Sequence, residues 1–286
     1  MEKQLAVVTG GAGFIGSHLC ERLVKEGYEV ISLDNYFTGT ADNHIVGVEY
    51  REGHTKDIVT HIPEAPELLF HLGEYARVEQ SFNDVETVLE SNVLGTIAVL
   101  EFVRAKKCKL VYAGSSTKFA DAGIGKDQSP YAWTKASNTN LVQRYSDWFG
   151  IQYAITYFYN VYGPRERGDS GTGTLIGIFA EKYKNNEALS VRKPGTQHRN
   201  FTHVYDIVDG LIKVGEKGEG DEYGLGHPDS YSVLEVAEMF GGEIELLEER
   251  PGNRMNSAVD VHRAFLELGW SPKNSLPEYI NSIKDA

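Results

Sequence analysis

The chain has 286 residues, of which 41% are hydrophobic, and its formal net charge is −13. This apolar fraction excludes a disordered chain, and the presence of only two cysteines excludes a fold held together by disulfides. No stretch approaches the ~20 apolar residues of a membrane span, and the first apolar run is too short for a signal peptide. The acidic balance argues against nucleic acid. We therefore expect a cytoplasmic protein with no nucleic-acid or membrane partner.

The first half of the chain alternates short apolar runs with longer helical patterns. Strands are predicted at residues 5–9, 29–33, 68–72, 110–113 and 151–159, and helices at residues 14–25, 81–106 and 129–149. Strands separated by helices pair in parallel through right-handed crossovers. The pattern predicts an α/β fold, in which residues 1–160 form a Rossmann-type, doubly wound parallel sheet.

The second half of the chain, from about Val161, is more often interrupted by glycine and proline. Shorter helices are predicted at residues 175–183, 206–214, 232–240 and 261–268. We expect residues 161–286 to form a smaller α/β substrate-binding lobe, with segments near residues 195–217 returning to the sheet. A ligand would then lie between the two parts, beyond the carboxyl ends of the strands.

Three spaced glycines separate the first predicted strand from the first predicted helix. Gly10, Gly13 and Gly16 allow a tight turn, close approach of a pyrophosphate and close contact of helix with strand. Phe14 and Ile15 open the helix, whose free N–H groups and positive dipole end favour phosphate. The spacing predicts a dinucleotide cradle.

An acidic residue ends the second predicted strand. There the Asp34 carboxylate would accept hydrogen bonds from the adenosine ribose and repel a 2′-phosphate, and Asn35 follows it with no arginine to favour NADP. NAD is the predicted cofactor. Asp57 and Ile58 follow a short strand and either frame the adenine or belong to a loop in which Asp57 caps a helix.

A serine, a tyrosine and a lysine form the candidate catalytic group. Ser116 lies just past the strand at residues 110–113, whereas Tyr131 and Lys135 lie one helical turn apart. Free tyrosine has a pKa near 10, and lowering that pKa by ~3 units requires ~4 kcal/mol of preferential phenolate stabilisation. Lys135 and the positive nicotinamide ring would supply it, and Ser116 would hold the reacting oxygen. We predict oxidation of a sugar hydroxyl by this group.

Motifs spread over nearly the whole chain resemble one enzyme family. The matching segments are Thr9 to Ser17, Asp34-Asn35, Asn92 to Thr96, Tyr131-x-x-x-Lys135, Asn160 to Arg165, Arg199 to Asp206 and Arg250-Pro251-Gly252. Together they resemble an extended short-chain dehydrogenase/reductase of the nucleotide-sugar epimerase/dehydratase family. The resemblance implies a cofactor site that includes Leu72 and Gly73, Asn92 on the buried part of the long helix, and diphosphate contacts from Asn160, Arg199 and Arg250. We also expect Tyr159, beside Asn160, to cover the nicotinamide.

The residues after the serine-bearing strand bear on the reaction. Family members that eliminate water carry Thr-Asp-Glu here, whereas this chain has Ser116-Thr117-Lys118 without a carboxylate. This argues against a 4,6-dehydratase and favours an isomerase that epimerises C4 of a UDP-hexose. A nucleotide-sugar dehydrogenase, a dehydratase acting for example on a GDP-sugar, and a dinucleotide-binding sensor without turnover remain the alternatives.

Three further positions bear on the nucleotide-sugar substrate. Glu74 either bonds a sugar hydroxyl or pairs with Arg77. Lys118 either contacts a substrate carboxylate or second phosphate, or is a solvated lysine at the cleft rim. Ser257 falls where sugar size is often selected in this family, and its small side chain would admit an N-acetyl group.

The remaining expectations concern assembly and metals. The predicted helices at residues 81–106 and 129–149 resemble those of a four-helix dimer interface in this family, so we expect a homodimer. No pair among the nine histidines has metal-ligand spacing with a cysteine or carboxylate partner, so no metal site is predicted.

Overall fold

The computed structural model describes residues 3–169, 173–248 and 260–285. In chain order the described strands are β1 (Leu5–Thr9), β2 (Glu29–Asp34), β3 (Val48–Glu52), β4 (Leu68–His71), β5 (Lys109–Ser115), β6 (Tyr153–Phe158), β7 (Val161–Tyr162), β8 (Leu189–Arg192), β9 (His198–Asn200), β10 (Thr202–His203), β11 (Gly220–Leu225), β12 (Ser230–Ser232) and β13 (Ile244–Leu247). The described helices are α1 (Phe14–Lys25), α2 (Ile58–His61), α3 (Val85–Val88), α4 (Gly95–Lys106), α5 (Pro130–Phe149), α6 (Leu175–Lys184), α7 (Val204–Lys217), α8 (Val233–Phe240), α9 (His262–Leu268) and α10 (Leu276–Lys284).

Within the described ranges, seven parallel strands form the central sheet. Their spatial order is β11-β6-β5-β4-β1-β2-β3, with every neighbouring pair parallel. The chain reverses its direction of winding at β1, between β4 and β2, so a crevice opens there beyond the carboxyl ends of the strands. The predicted Rossmann-type doubly wound α/β fold is confirmed.

The central strands are buried on both faces because helices cover each side of the sheet. In β1, Ala6 and Val8 pack into the layer formed with α1 and α7, whereas Val7 packs into the layer formed with α4 and α5. All three side chains have no exposed surface. These two cores hold the strand ends, and therefore the crevice, in one fixed geometry.

A third core lies in the second half of the chain. Phe179 of α6, Val191 of β8, Phe240 of α8 and Ile280 of α10 are all buried in it. Helix α7, by contrast, packs on the central sheet, and β11 extends that sheet beside β6. The part of the second half that packs on the central sheet therefore extends to Leu225, beyond the predicted segment at residues 195–217.

The long helix predicted at residues 81–106 begins at Val85 and is interrupted. Between α3 and α4, Leu89–Leu94 form a π-helical segment, whose wider turn directs Asn92 inward until its side chain is fully buried. No helix in residues 3–169, 173–248 and 260–285 is both long and apolar enough to cross a membrane.

Candidate active site

The glycine turn between β1 and α1 forms one wall of a cleft of about 1710 Å³. Gly10 has a φ of 75°, and a Cβ on it would lie 2.9 Å from the Cα of Gly73. A Cβ on Gly16 would lie 2.0 Å from the Gly10 carbonyl oxygen, so helix and turn touch there. A Cβ on Gly13 would contact only the Gly10 carbonyl oxygen, at 3.2 Å. Phe14 and Ile15 line the cleft beside Gly13. The first turn of α1 has no acidic side chain, so its N–H groups are open to a phosphate.

The carboxylate at the end of β2 lies in the same cleft. Asp34 is 7% exposed, and its two oxygens accept hydrogen bonds from the backbone N–H groups of Ala12, at 2.9 Å, and Tyr36, at 2.8 Å. Burial raises the pKa of Asp34, and these two donors oppose the increase. Asn35 lines the cleft and caps its own turn by accepting from the Phe37 N–H. Each Asp34 oxygen keeps a second lone pair for a ribose hydroxyl.

The adenine end of the cleft differs from the prediction. Asp57 is exposed and Ile58 is fully buried among the residues beneath α4, and neither lines the cleft. The residue that does so is His54, two positions after the end of β3. The structure therefore gives no support to Asp57 and Ile58 as cofactor contacts, and that assignment stays a prediction. In parallel sheets, ligands contact the first residues beyond the strand ends, and His54 occupies such a position.

Two other cofactor assignments need correction. Tyr159 is 2% exposed, and its hydroxyl accepts from the Asp260 N–H at 3.4 Å, so it faces the core. Phe158, at the opposite face of β6, lines the cleft in its place.

Asn92 does not line the cleft either. Its amide accepts from the Tyr75 N–H at 2.7 Å and donates to the Tyr75 carbonyl at 3.1 Å, which fixes the loop after β4. Leu72, just before that loop, and Gly73 do line the cleft.

The predicted catalytic residues meet at the carboxyl end of β5. Helix α5 starts at Pro130, and the Ser129 hydroxyl caps it by accepting from the Ala132 N–H at 3.1 Å. This start puts Tyr131 in the first turn and Lys135 one turn later, and both line the cleft. Ser115 and Ser116 line it from the end of β5, so serine, tyrosine and lysine share the lining of one cleft.

Glu74 has a partner that the sequence did not suggest. Its carboxylate forms an ion pair with the Lys135 ammonium, and the two side chains are only 4% and 6% exposed. The same carboxylate accepts a hydrogen bond from the Thr96 hydroxyl at 2.9 Å. The pairing with Arg77 is therefore wrong. Glu74 does line the cleft, but protein donors occupy both of its carboxylate oxygens, so its contact with a sugar hydroxyl stays a prediction.

Lys118 also has a partner that the sequence did not suggest. Its ammonium donates to the Tyr157 hydroxyl and to the Asp221 carboxylate, both at 3.0 Å. The side chain does not line the cleft. Both interpretations of Lys118, as a substrate contact and as a solvated lysine, are replaced by an ion pair between the end of β5 and β11.

The predicted diphosphate contacts lie at the far side of the cleft. Asn160, with a φ of 38°, and Arg199 line it, and the Asn160 amide donates to the Asn200 carbonyl at 2.8 Å. Arg250 and Ser257, which carry the remaining substrate predictions, lie outside the described residues.

Several charged residues line the cleft that sequence reasoning did not assign to the site, and Arg77 and Glu166 are the two with unpartnered buried atoms. The Nε of Arg77 is buried and has no hydrogen-bond partner, and burial lowers the pKa of its guanidinium. Glu166 lies near it, with one buried oxygen unpartnered, and burial raises the pKa of Glu166 to about 8. The sequence could have indicated Arg77 as a cleft residue, because Arg77 follows Leu72 and Gly73 shortly beyond a strand end.

Comparisons with known proteins agree with this geometry. The model of the NAD dependent epimerase/dehydratase family matches residues 6–226. UDP-glucuronic acid decarboxylase 5 of Arabidopsis thaliana is 31% identical over 299 residues, covering 95% of this chain and 86% of that protein. The UDP-glucose 4-epimerase of Thermotoga maritima, solved with UDP-glucose, has a TM-score of 0.89 and 26% identity over 98% of each chain. The UDP-glucose 4-epimerase of Thermus thermophilus, in complex with NAD, has a TM-score of 0.88 and 26% identity, covering 99% of this chain and 98% of that one.

The chain belongs to the NAD dependent epimerase/dehydratase family. It is an NAD-dependent enzyme of nucleotide-sugar chemistry, and its cleft fits that cofactor. Gly13 leaves the space that a pyrophosphate needs, and the first turn of α1 offers N–H donors beside it. Asp34 stands where the adenosine ribose would be bound.

Proposed function

We propose that this enzyme is a nucleotide-sugar 4-epimerase that acts on a UDP-hexose or a UDP-N-acetylhexosamine. The observation that carries the proposal is that Tyr131, Lys135 and Ser116 line one cleft, while Thr117 and Lys118 stand where an eliminating enzyme carries its two acids. Thr117 lines the cleft without a carboxylic acid to protonate a leaving hydroxyl, and Lys118 pairs with Asp221 outside the cleft lining. This composition supports redox chemistry at C4 without loss of water.

Each catalytic side chain has one task in the proposed reaction. Tyr131, as the phenolate, takes the proton from the C4 hydroxyl and later returns it to the C4 oxygen. NAD, held by the glycine turn from Gly10 to Gly16 and by Asp34, would supply the hydride acceptor for C4 and the hydride for its reduction from the opposite face. Ser116 donates a hydrogen bond to the C4 oxygen and holds it against Tyr131. Between the two transfers the keto-sugar turns over within the cleft.

A second candidate is decarboxylation of UDP-glucuronic acid after the same oxidation at C4. Two observations favour it: the 31% identity to a UDP-glucuronic acid decarboxylase, and the buried, unpartnered Nε of Arg77 in the cleft. A guanidinium binds a carboxylate through parallel charge-assisted hydrogen bonds. A 4-keto uronic acid loses CO₂ when its C5–C6 bond breaks and the electron pair forms an enolate. C5 then takes a proton, and return of the hydride to C4 gives the UDP-pentose.

The products of a substrate panel test these candidates. We expect NMR of reactions with UDP-glucose, UDP-N-acetylglucosamine, UDP-glucuronic acid, a GDP-sugar and a dTDP-sugar to detect a C4 epimer of a UDP-sugar. Tyr131→Phe is expected to lose about 10²- to 10⁴-fold in rate because it removes the general base. Thr139→Ser, farther along α5, is the matched control.

The other possible products each contradict the epimerase. A UDP-pentose with release of CO₂ identifies the decarboxylase, a stable ketone a dehydrogenase, and a 4-keto-6-deoxy sugar a dehydratase. Binding of the dinucleotide without turnover of any sugar nucleotide identifies a sensor.

We also propose that the enzyme is a cytoplasmic homodimer. Phe82, Val85, Leu89 and Trp133 line one shallow groove on the surface formed by α3, the π-helical segment and α5. All four are exposed, at 59%, 41%, 39% and 48% respectively. An apolar groove of this kind on the helices that the sequence assigned to an interface supports a helix-to-helix dimer. The two cysteines are free and buried, which suits a reducing compartment.

A further inference from the structure

The ammonium of Lys135 is held within a buried network of polar groups. One Glu74 oxygen pairs with Lys135, and the other accepts hydrogen bonds from the Thr96 hydroxyl at 2.9 Å, the Asn138 amide at 2.9 Å and the Tyr112 hydroxyl at 3.1 Å. The Lys135 ammonium also donates to the Ala113 carbonyl. These donors come from α4, β5 and α5, so three elements hold one carboxylate.

The backbone on each side of Glu74 is fixed as well. The Gly73 N–H donates to the Thr9 hydroxyl at 3.0 Å, and a Cβ on Gly73 would lie 3.0 Å from the Gly10 nitrogen. On the other side, Asn92 bonds both the N–H and the carbonyl of Tyr75. Glu74 therefore has little freedom to turn toward the cleft and bind substrate instead of Lys135.

The carboxylate is charged in this setting. Burial alone would raise the pKa of Glu74, but the Lys135 charge and the hydrogen bonds from Lys135 and Thr96 hold that pKa below its usual value. A buried carboxylate and a buried ammonium are each costly unless they are paired, and here each has the other as its counter-ion. The pair is electrically neutral as a unit, so the region beside Tyr131 has less positive charge than Lys135 alone would provide.

The other titratable groups that face this pair do not restore the positive charge. His71 of β4 bonds the Thr96 hydroxyl at 3.2 Å, and burial lowers the pKa of His71 to about 4, so it is neutral at physiological pH. Tyr112 of β5 has its pKa raised well above its usual value, mainly by burial. Arg77, in the loop after β4, is a cation that faces Tyr131 from outside the network.

We propose that Glu74 is a positioning residue: it holds the Lys135 ammonium in one place and offsets its charge, so that the Tyr131 phenol loses its proton at a higher pH than it would beside an unpaired lysine. The inference rests on the proposed function in one respect, namely that Tyr131 is the base. The charge of Glu74 then sets the pH range in which the enzyme works.

The test variant is Glu74→Gln, which removes the charge and nearly keeps the shape. Its control is Glu101→Gln on α4, which removes the same charge from a half-exposed residue that pairs with Arg104. The first measurement is ¹³C NMR of ring-labelled tyrosine in the NAD-loaded enzyme, with the Tyr131 signal identified by its loss in Tyr131→Phe. The second is the pH profile of kcat/KM.

We expect the titration midpoint of Tyr131 and the acid limb of kcat/KM to move to lower pH together in Glu74→Gln, by about one pH unit. Both are expected to stay unchanged in Glu101→Gln. An unmoved midpoint in a folded Glu74→Gln enzyme overturns the proposal. A uniform loss of activity at every pH with an unmoved midpoint shows a merely structural role and overturns it too.

Glu74→Asp keeps the test decisive if Glu74→Gln fails to fold. Its carboxylate is one methylene farther from Lys135, so the midpoint is expected to move in the same direction by a smaller amount, and an unmoved midpoint again overturns the proposal. The NMR measurement requires no turnover. A shifted Tyr131 midpoint in an enzyme that transforms no sugar nucleotide would therefore reject the proposed function while retaining the charge effect of Glu74.

Discussion

Arg77 is the cleft residue whose role most sharply separates the candidate substrates. Its Nε is buried without a hydrogen-bond partner, and burial lowers the pKa of its guanidinium, so the side chain gains most from an anionic ligand. We predict that Arg77→Leu raises KM for UDP-glucuronic acid by about 10- to 100-fold, since hydrogen bonds to charged groups contribute about 1.5–3 kcal/mol. KM for UDP-glucose should change much less, because that sugar has no carboxylate.

Steady-state kinetics on both substrates measure this difference. Arg104→Leu on α4 is the control, because its half-exposed side chain pairs with Glu101 outside the cleft. Equal effects of Arg77→Leu on the two sugars would mean that Arg77 binds the shared diphosphate or only supports the cleft.

Glu166 predicts a pH-dependent change in stability. Burial raises its pKa to about 8, against the opposing backbone N–H groups of Gly163 and Gly177. Between about pH 4.5 and pH 8 the folded state therefore keeps a proton that the unfolded state has released, so this residue lowers stability as the pH rises through that window. Glu166→Gln, which cannot ionise, should match the wild type in Tm at pH 5 and exceed it at pH 9, by about 2–4 °C for each kcal/mol of ionisation cost.

Thermal unfolding followed by circular dichroism at the two pH values checks the sign. The exposed Glu238 of α8 supplies the control variant, Glu238→Gln, for which we expect no pH-dependent difference. A Glu166→Gln enzyme that is less stable than the wild type at pH 9 would mean that the carboxylate is ionised and paired in the folded protein.

The strands and helices were largely predictable because hydrophobic periodicity is a local property. Helix α5 was expected at residues 129–149 and spans Pro130–Phe149, with Ser129 as its cap. The faces of the strand ends were harder to predict. Tyr159 was expected in the cleft and Phe158 lies there instead, because a shift of one residue moves a side chain to the opposite face of a strand.

Contacts between distant elements were not predictable from one sequence. Glu74 and Lys135 are 61 residues apart, and Lys118 and Asp221 are 103 residues apart. The charges of all four were visible, but their partners depend on how β4, β5, α5 and β11 meet in the folded sheet. The Gly turn, Asp34 and the Tyr131–Lys135 pair were predictable for the opposite reason: each is a local pattern whose chemistry requires a strand end or a helical turn.

The proposed homodimer is argued from the exposed apolar groove on α3 and α5. Exposed apolar side chains on neighbouring helices are stabilised when a second copy covers them, and a two-fold dimer would bring the same groove from each subunit together. Val85 is 41% exposed in that groove. We predict that Val85→Glu converts a wild-type dimer into monomers, because two buried carboxylates would face each other at the interface.

Size-exclusion chromatography with multi-angle light scattering measures the molar mass directly. Phe265→Glu is the matched control: Phe265 lies on α9, is 58% exposed and is outside the groove, so the variant should remain dimeric. A wild-type enzyme of 31.8 kDa, the mass of one chain, would contradict the homodimer. A Val85→Glu enzyme that stays dimeric would instead locate the interface elsewhere. If monomers form and keep the wild-type kcat, the cleft of each subunit is complete without its partner.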